Sequence, residues 1–116
     1  MYSKEIYSLS EALGKQCLAN DYLLITAESC TGGLLAQSIT DIPGSSLWFE
    51  RGFITYSNKA KIDCLDVKSL TLDNYGAVSQ ETADEMAIGA ISNGAGNLSI
   101  SITGIAGPDG GSELKP

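Results

Sequence analysis

Chemistry in this chain concentrates in one octapeptide, Thr26-Ala27-Glu28-Ser29-Cys30-Thr31-Gly32-Gly33. It follows an apolar run, Tyr22-Leu23-Leu24-Ile25, and leads into a helix-like run from Leu34 to Ile39. A strand that ends in Ser-Cys-Thr-Gly-Gly and turns straight into a helix presents hydroxyls and backbone N–H groups at a helix N-terminus. That geometry suits a nucleophile, an anion or both. Composition narrows the base that could serve the nucleophile, because the 116 residues include no histidine. Ser-His-Asp and Cys-His catalysis, H-E-x-x-H metalloproteases and most zinc sites are thereby removed, and Lys, Glu, Asp and Tyr remain as proton acceptors. No metal and no cofactor is expected.

Lys61 is the base the sequence offers to Ser29. A lysine serves only if burial or a nearby positive charge lowers its pKa from about 10.4 toward neutrality. Lys59 and Lys61 lie beside apolar Ile62 and Leu65, which is compatible with burial. Tyr56, one helical turn before Lys61, could relay a proton or orient the serine. Cys30 is a rival nucleophile, since a helix N-terminus lowers a thiol pKa. The missing histidine and the alternation of side chains at a strand end, which points Cys30 away from Ser29, favour a packing role instead. The glycine-rich stretch Gly104 to Gly111 can approach a ligand backbone-first and offer N–H groups to a phosphate. It is neither a Walker A loop nor a dinucleotide fingerprint. On spacing alone a plainer reading also stands: Ser29 and Thr31 cap a helix, the lysines are solvated, Tyr56 is core and the glycine stretch is a wide turn.

These residues need elements to hold them. Ser3 can cap a first helix with Ile6, Leu9, Leu13 and Cys17 at helical spacing, ended by Asn20-Asp21. The first strand is read as Tyr22 to Ala27 and the second helix as running to about Thr40. Pro43-Gly44 marks a turn. Gly52 to Tyr56 reads as a second strand, followed by a short helix from Lys59 to Leu65 that Ser57 or Asn58 could cap. Asp66 to Gly76 reads as irregular. Ser79 caps a further helix with Ala83, Met86, Ala87, Ala90 and Ile91 as its stripe, and Leu98 to Ile102 alternates as a third strand. Strands alternating with helices imply an α/β domain with a largely parallel sheet, whose ligand crevice lies at the carboxyl ends of the strands. Ser29, Tyr56 and Thr103 each follow or end a strand and fall on one rim, with Lys61 a turn beyond.

Length fits one domain, and 43% apolar with 18% charged residues is the composition of a globular one. A net charge of −7 argues against a nucleic-acid surface, since little here would neutralise phosphates. No apolar run reaches the roughly 18–20 residues needed to span a bilayer, and the N-terminus lacks a signal-peptide layout. Cys17, Cys30 and Cys64 form no C-x-x-C pair and read as reduced thiols of a cytoplasmic protein.

Four motifs in order, Glu28-Ser29-Cys30-Thr31-Gly32-Gly33, Thr55-Tyr56-Ser57-Asn58-x-x-Lys61, Gly76-Ala77-Val78-Ser79 and Ser101-Ile102-Thr103-Gly104-Ile105-Ala106-Gly107-Pro108-x-Gly110-Gly111, resemble the CinA C-terminal domain family. The resemblance implies a three-layer α/β/α sandwich with a mostly parallel mixed sheet. It also implies an amidohydrolase that converts nicotinamide mononucleotide to nicotinate mononucleotide and ammonia. On that pattern Ser29 is the nucleophile, Lys61 the general base and Tyr56 its auxiliary. Thr31, Gly32, Gly33, Asn58, Thr103, Gly104, Gly107, Gly110 and Gly111 would bind the nucleotide. The family domain continues past the Lys-Pro of this pattern with further strands and a helix, so residues 1–116 are expected to form a single domain without its last elements. Shortening leaves two further expectations: a non-catalytic nucleotide-binding or regulatory module of the same fold, and pairing with a second copy in a homo-oligomer.

Overall fold

The central strand explains the rest of the architecture. The computed structural model describes residues 3–105. In it β1 (Leu24–Glu28) lies between β2 (Phe49–Ile54) and β3 (Leu98–Ile102), paired in parallel with both. All five β1 residues are buried. Successive side chains of a strand point to opposite faces, and the two apolar clusters follow that rule. Leu24 joins Cys17, Ile39, Ile42 and Trp48 on one face, while Ile25 and Ala27 join Leu65, Val67, Leu72, Met86 and Ala90 on the other. The first face is covered by α1 (Lys4–Ala19) and α2 (Leu34–Thr40), the second by α3 (Asn58–Leu65), α4 (Ser69–Tyr75) and α5 (Gln80–Asn93). The result is the expected three-layer α/β/α arrangement; among the described residues every strand pairing is parallel.

Caps agree with the sequence where they are local. Ser3, Ser57 and Ser79 each accept a backbone N–H from the residue three positions on, so Ser57 and not Asn58 caps α3. β3 has the expected bounds. Its alternation is functional in packing: Ser99 and Ser101 donate to the Ala87 and Ala83 carbonyls of α5, while Leu98 and Ile100 pack on the opposite face.

Five expectations shift. β1 is displaced from Tyr22–Ala27 to Leu24–Glu28, because Tyr22 closes the end of α1 through its N–H to Cys17 and Glu28 is still paired to Ile54 and Ile102. β2 starts three residues earlier than Gly52 and ends at Ile54. The inward stripe of α1 is Ser10, Gly14 and Cys17, with Leu9 63% exposed, because Gly14 lies against the Trp48 indole where a Cβ would approach to 2.7 Å. Residues 66–76, read as irregular, contain α4. Its start is held by Glu85 of α5, which accepts from the Lys68 N–H and the Thr71 hydroxyl. A cap supplied from another helix leaves no local signature. The α5 stripe is likewise rotated to Thr82, Met86, Gly89 and Ala90, since Gly89 backs onto the Leu65 carbonyl, where a Cβ would overlap it.

Candidate active site

Strand alternation carries on past β1 and sorts the octapeptide. Glu28 turns toward α2, on the Thr26 face, and Ser29 turns toward α3. Ser29 is held by its N–H, which donates to the Ile102 carbonyl at 3.0 Å, and is only 5% exposed. Opposite it, α3 directs Lys61 inward although its neighbours Lys59 and Asp63 form an ion pair on the exposed side. Lys61 has no exposed surface, yet no carboxylate among the described residues meets it. Its Nζ lies 2.9 Å from Ser29 Oγ, 2.9 Å from the Thr55 carbonyl and 2.9 Å from the Tyr56 carbonyl. Burial pushes the Lys61 pKa below its ordinary value of 10.5, opposed by the neighbouring Cys30 sulfur when that is charged.

These groups open into a cavity of about 340 Å³ at the carboxyl ends of the strands, lined by Ser29, Cys30, Tyr56, Lys61, Ala77, Thr103, Gly104 and Ile105. The rim foreseen from the strand ends is therefore present, and it brings Ser29, Tyr56, Lys61, Thr103 and Gly104 together. Two of them arrive differently from expectation. Tyr56 reaches Lys61 through its main-chain carbonyl, while the residue as a whole is 72% exposed. The Thr103 hydroxyl donates to the Ala77 carbonyl at 2.8 Å, tying β3 to the start of α5.

Thr31, Gly32, Gly33 and Asn58 do not line this cavity. The Thr31 hydroxyl donates to Glu28 Oε1, the Gly33 N–H does the same, and Asn58 is exposed in the first turn of α3. Gly107, Gly110 and Gly111 lie outside the described residues. Conversely, Cys30 lines the cavity beside Gly104, where a Cβ would come within 3.3 Å of Cys30 Sγ. A turn directly after the strand breaks the period-two rule used to point it away. Ala77 and Ile105 are wall residues that no residue type announces. No group of three or more His, Cys, Asp or Glu that could hold a metal ion occurs among the described residues, and no described helix is long and apolar enough to cross a membrane.

A buried serine–lysine pair thus lies at the rim of the parallel sheet of an α/β domain, and comparison with known proteins gives the family. The model of the CinA C-terminal domain matches residues 6–116. The chain belongs to that family. It is 53% identical over 116 residues to the nicotinamide-nucleotide amidohydrolase PncC of Escherichia coli K12, covering 100% of the chain and 70% of that protein. It is 50% identical to a CinA-like protein of Chloroherpeton thalassium, of which it covers 28%. Its fold matches the crystal structure of the competence/damage inducible protein CihA from Agrobacterium tumefaciens with a TM-score of 0.92 at 45% identity, over 100% of the chain and 70% of that structure.

Proposed function

We propose that this chain is an amidohydrolase that deamidates nicotinamide mononucleotide with Ser29 as nucleophile and Lys61 as general base. The observation that carries the reading is the 2.9 Å approach of a fully buried Lys61 Nζ to Ser29 Oγ at the wall of the cavity. The naming of relatives such as the E. coli protein as nicotinamide-nucleotide amidohydrolases supplies the substrate class.

The stereochemistry of the amine supports the role. A neutral lysine has two N–H bonds and one lone pair. In the structure Lys61 Nζ donates to Ser29 Oγ and to the Thr55 and Tyr56 carbonyls, and Ser29 Oγ donates to the Tyr56 carbonyl at 3.4 Å. Once the amine is neutral, the two carbonyls can keep its two N–H bonds and leave the lone pair for the Ser29 hydroxyl. The lowered pKa raises the fraction of lysine in that neutral form. Ser29 Oγ attacks the carboxamide carbon as Lys61 takes its proton. The ammonium then protonates the departing nitrogen, and ammonia leaves behind a serine ester. Water, deprotonated by the same amine, cleaves the ester to nicotinate mononucleotide and free serine.

The oxyanion needs donors, and hydrogen-bond accounting narrows them. The N–H groups of Gly33, Leu35 and Ala36, at the start of α2, are committed to the Glu28 carboxylate, and those of Gly32 and Leu34 to Ser29 and Thr31 carbonyls. The helix N-terminus is therefore occupied. The N–H groups of Cys30 and Thr31, next to the nucleophile, have no acceptor among the described residues and are assigned to the oxyanion.

Ammonia release from nicotinamide mononucleotide tests the reading. Ser29→Ala and Lys61→Met are each expected to lower kcat by about a thousandfold or more, since members of a nucleophile–base unit fail together. Wild-type rates in either variant would sink the dyad. Binding of the mononucleotide without ammonia from the wild-type chain would favour the regulatory-module reading.

A further inference from the structure

We propose that Glu28 and Thr31 form a positioning pair for Ser29, with the Thr31 hydroxyl serving the Glu28 carboxylate and not the substrate. The proposal takes its kinetic readout from the amidohydrolase reading, but its geometry is independent of it.

Glu28 is fully buried at the end of the central strand. A carboxylate in such a place is costly unless donors surround it. Here all four donors come from the segment immediately after the serine. Oε1 accepts from Thr31 Oγ1 at 2.7 Å, Gly33 N at 3.2 Å and Leu35 N at 2.9 Å, and Oε2 accepts from Ala36 N at 2.9 Å. Gly33, the residue at the N-cap position of α2, has a φ of 106° and no side chain to cap with. The glutamate replaces the missing cap from upstream and satisfies the otherwise orphaned N–H groups of the first turn.

An ordinary cap fixes only its helix; this one spans the nucleophile. Glu28 has its backbone in β1 and its carboxylate on α2, so residues 29–33 form a loop closed at both ends. Inside that loop the Gly32 N–H donates to the Ser29 carbonyl and the Leu34 N–H to that of Thr31. The residue also reaches the base. Its own carbonyl accepts the Thr55 N–H at 2.8 Å, and the Thr55 carbonyl in turn accepts from Lys61 Nζ. One side chain thus fixes the serine's turn while the same residue's main chain anchors the amine's cradle. Loss of the clamp should misplace Ser29 relative to the lysine and to the Cys30 and Thr31 N–H groups, and so lower kcat without weakening substrate binding.

The test uses three substitutions in the whole chain. Glu28→Gln keeps the shape but turns an NH₂ toward N–H donors; kcat is expected to fall by about thirtyfold or more with KM within about threefold. Thr31→Val removes only the hydroxyl and should cost about five- to tenfold in kcat, and Thr31→Ser should restore it. The threonine pair decides the matter even if Glu28→Gln does not fold. A rise in KM at unchanged kcat in Thr31→Val would place Thr31 on the substrate and overturn the proposal, as would wild-type kcat and KM in Thr31→Val. Amide hydrogen exchange separates this from the activity itself. If wild type releases no ammonia, the amidohydrolase reading fails by itself provided Gly33, Leu35 and Ala36 exchange slowly in wild type and faster in Thr31→Val than in Thr31→Ser. Fast exchange at those amides in wild type overturns the clamp.

Discussion

Glu28 and Lys61 are the two buried charge-bearing side chains among the described residues, and their surroundings are opposite in kind. Glu28 meets four donors, two oxygens' worth of N–H and O–H contacts from one turn. Lys61 meets two carbonyls and a hydroxyl, none of which carries a charge. The two never touch, although Glu28 is the immediate neighbour of the serine that Lys61 contacts. The pleat of β1 sends Glu28 to the α2 face and Ser29 to the α3 face, so the sheet itself lies between acid and amine. That separation matters chemically. A carboxylate beside Lys61 would favour the ammonium and remove the lone pair that a base requires. The acid is used where its charge complements a helix N-terminus, and the amine is left where burial is the largest influence on it, opposed only by the Cys30 sulfur when that is charged.

Short of removing Ser29 or Lys61 themselves, breaking the separation should have the largest effect. Cys30 lies in the cavity wall, and its sulfur is close enough for its charge to influence Lys61. Cys30→Asp would place a permanent negative charge there. The carboxylate would raise the lysine pKa and cut the neutral fraction, and with it kcat/KM near neutral pH, by about a hundredfold. The loss should shrink as pH is raised toward the new pKa. A pH-independent loss of the same size would show that the side chain blocks the cavity and leaves the base untouched.

The wild-type pH profile is a milder test of the same contrast. As a general base, Lys61 predicts kcat/KM rising about tenfold per pH unit and levelling above a pKa lower than 10.5. Stability should follow with a definite sign. The folded-state pKa is depressed, so between that value and 10.5 the unfolded chain holds more protons, and stability rises with pH across that window. Below the window both states are protonated and the cost of the buried ammonium is present in full. In Lys61→Met this rise should vanish from urea denaturation measured across the window, whatever the variant's stability at a single pH.

How much of this was legible in the sequence depends on the range of the interactions. The serine caps at Ser3, Ser57 and Ser79 and the alternation of Leu98–Ile102 are local, and they were readable. So was the common rim, because parallel strands must present their carboxyl ends together. What escaped was set by long-range partners. α4 depends on Glu85, the α1 face on Trp48, and the α5 face on a glycine backed against α3. The same limit applied within the site. Absence of histidine pointed to lysine, but nothing in the spacing showed that the conspicuous Thr31-Gly32-Gly33 turn would face a glutamate and not the ligand. Glu28 itself was given no role, because the donors that give it meaning lie three to eight positions further on.

The smallest expected effect concerns Tyr56, whose residue type suggested a phenol working with the lysine. The structure gives the main-chain carbonyl that position, 2.9 Å from Lys61 Nζ, and leaves the residue 72% exposed at the cavity edge. Tyr56→Phe keeps the carbonyl. The pKa read from kcat/KM should therefore stay at the wild-type value to within about 0.2 units, since nothing bonded to the amine has changed. Any loss in rate should come through contact of the hydroxyl with substrate and appear as a higher KM. A shift in that pKa would instead show that the phenol titrates with Lys61. The carbonyl cradle would then be an incomplete account of the base, and the contrast with Glu28 would need a third ionisable partner on the amine's side of the sheet.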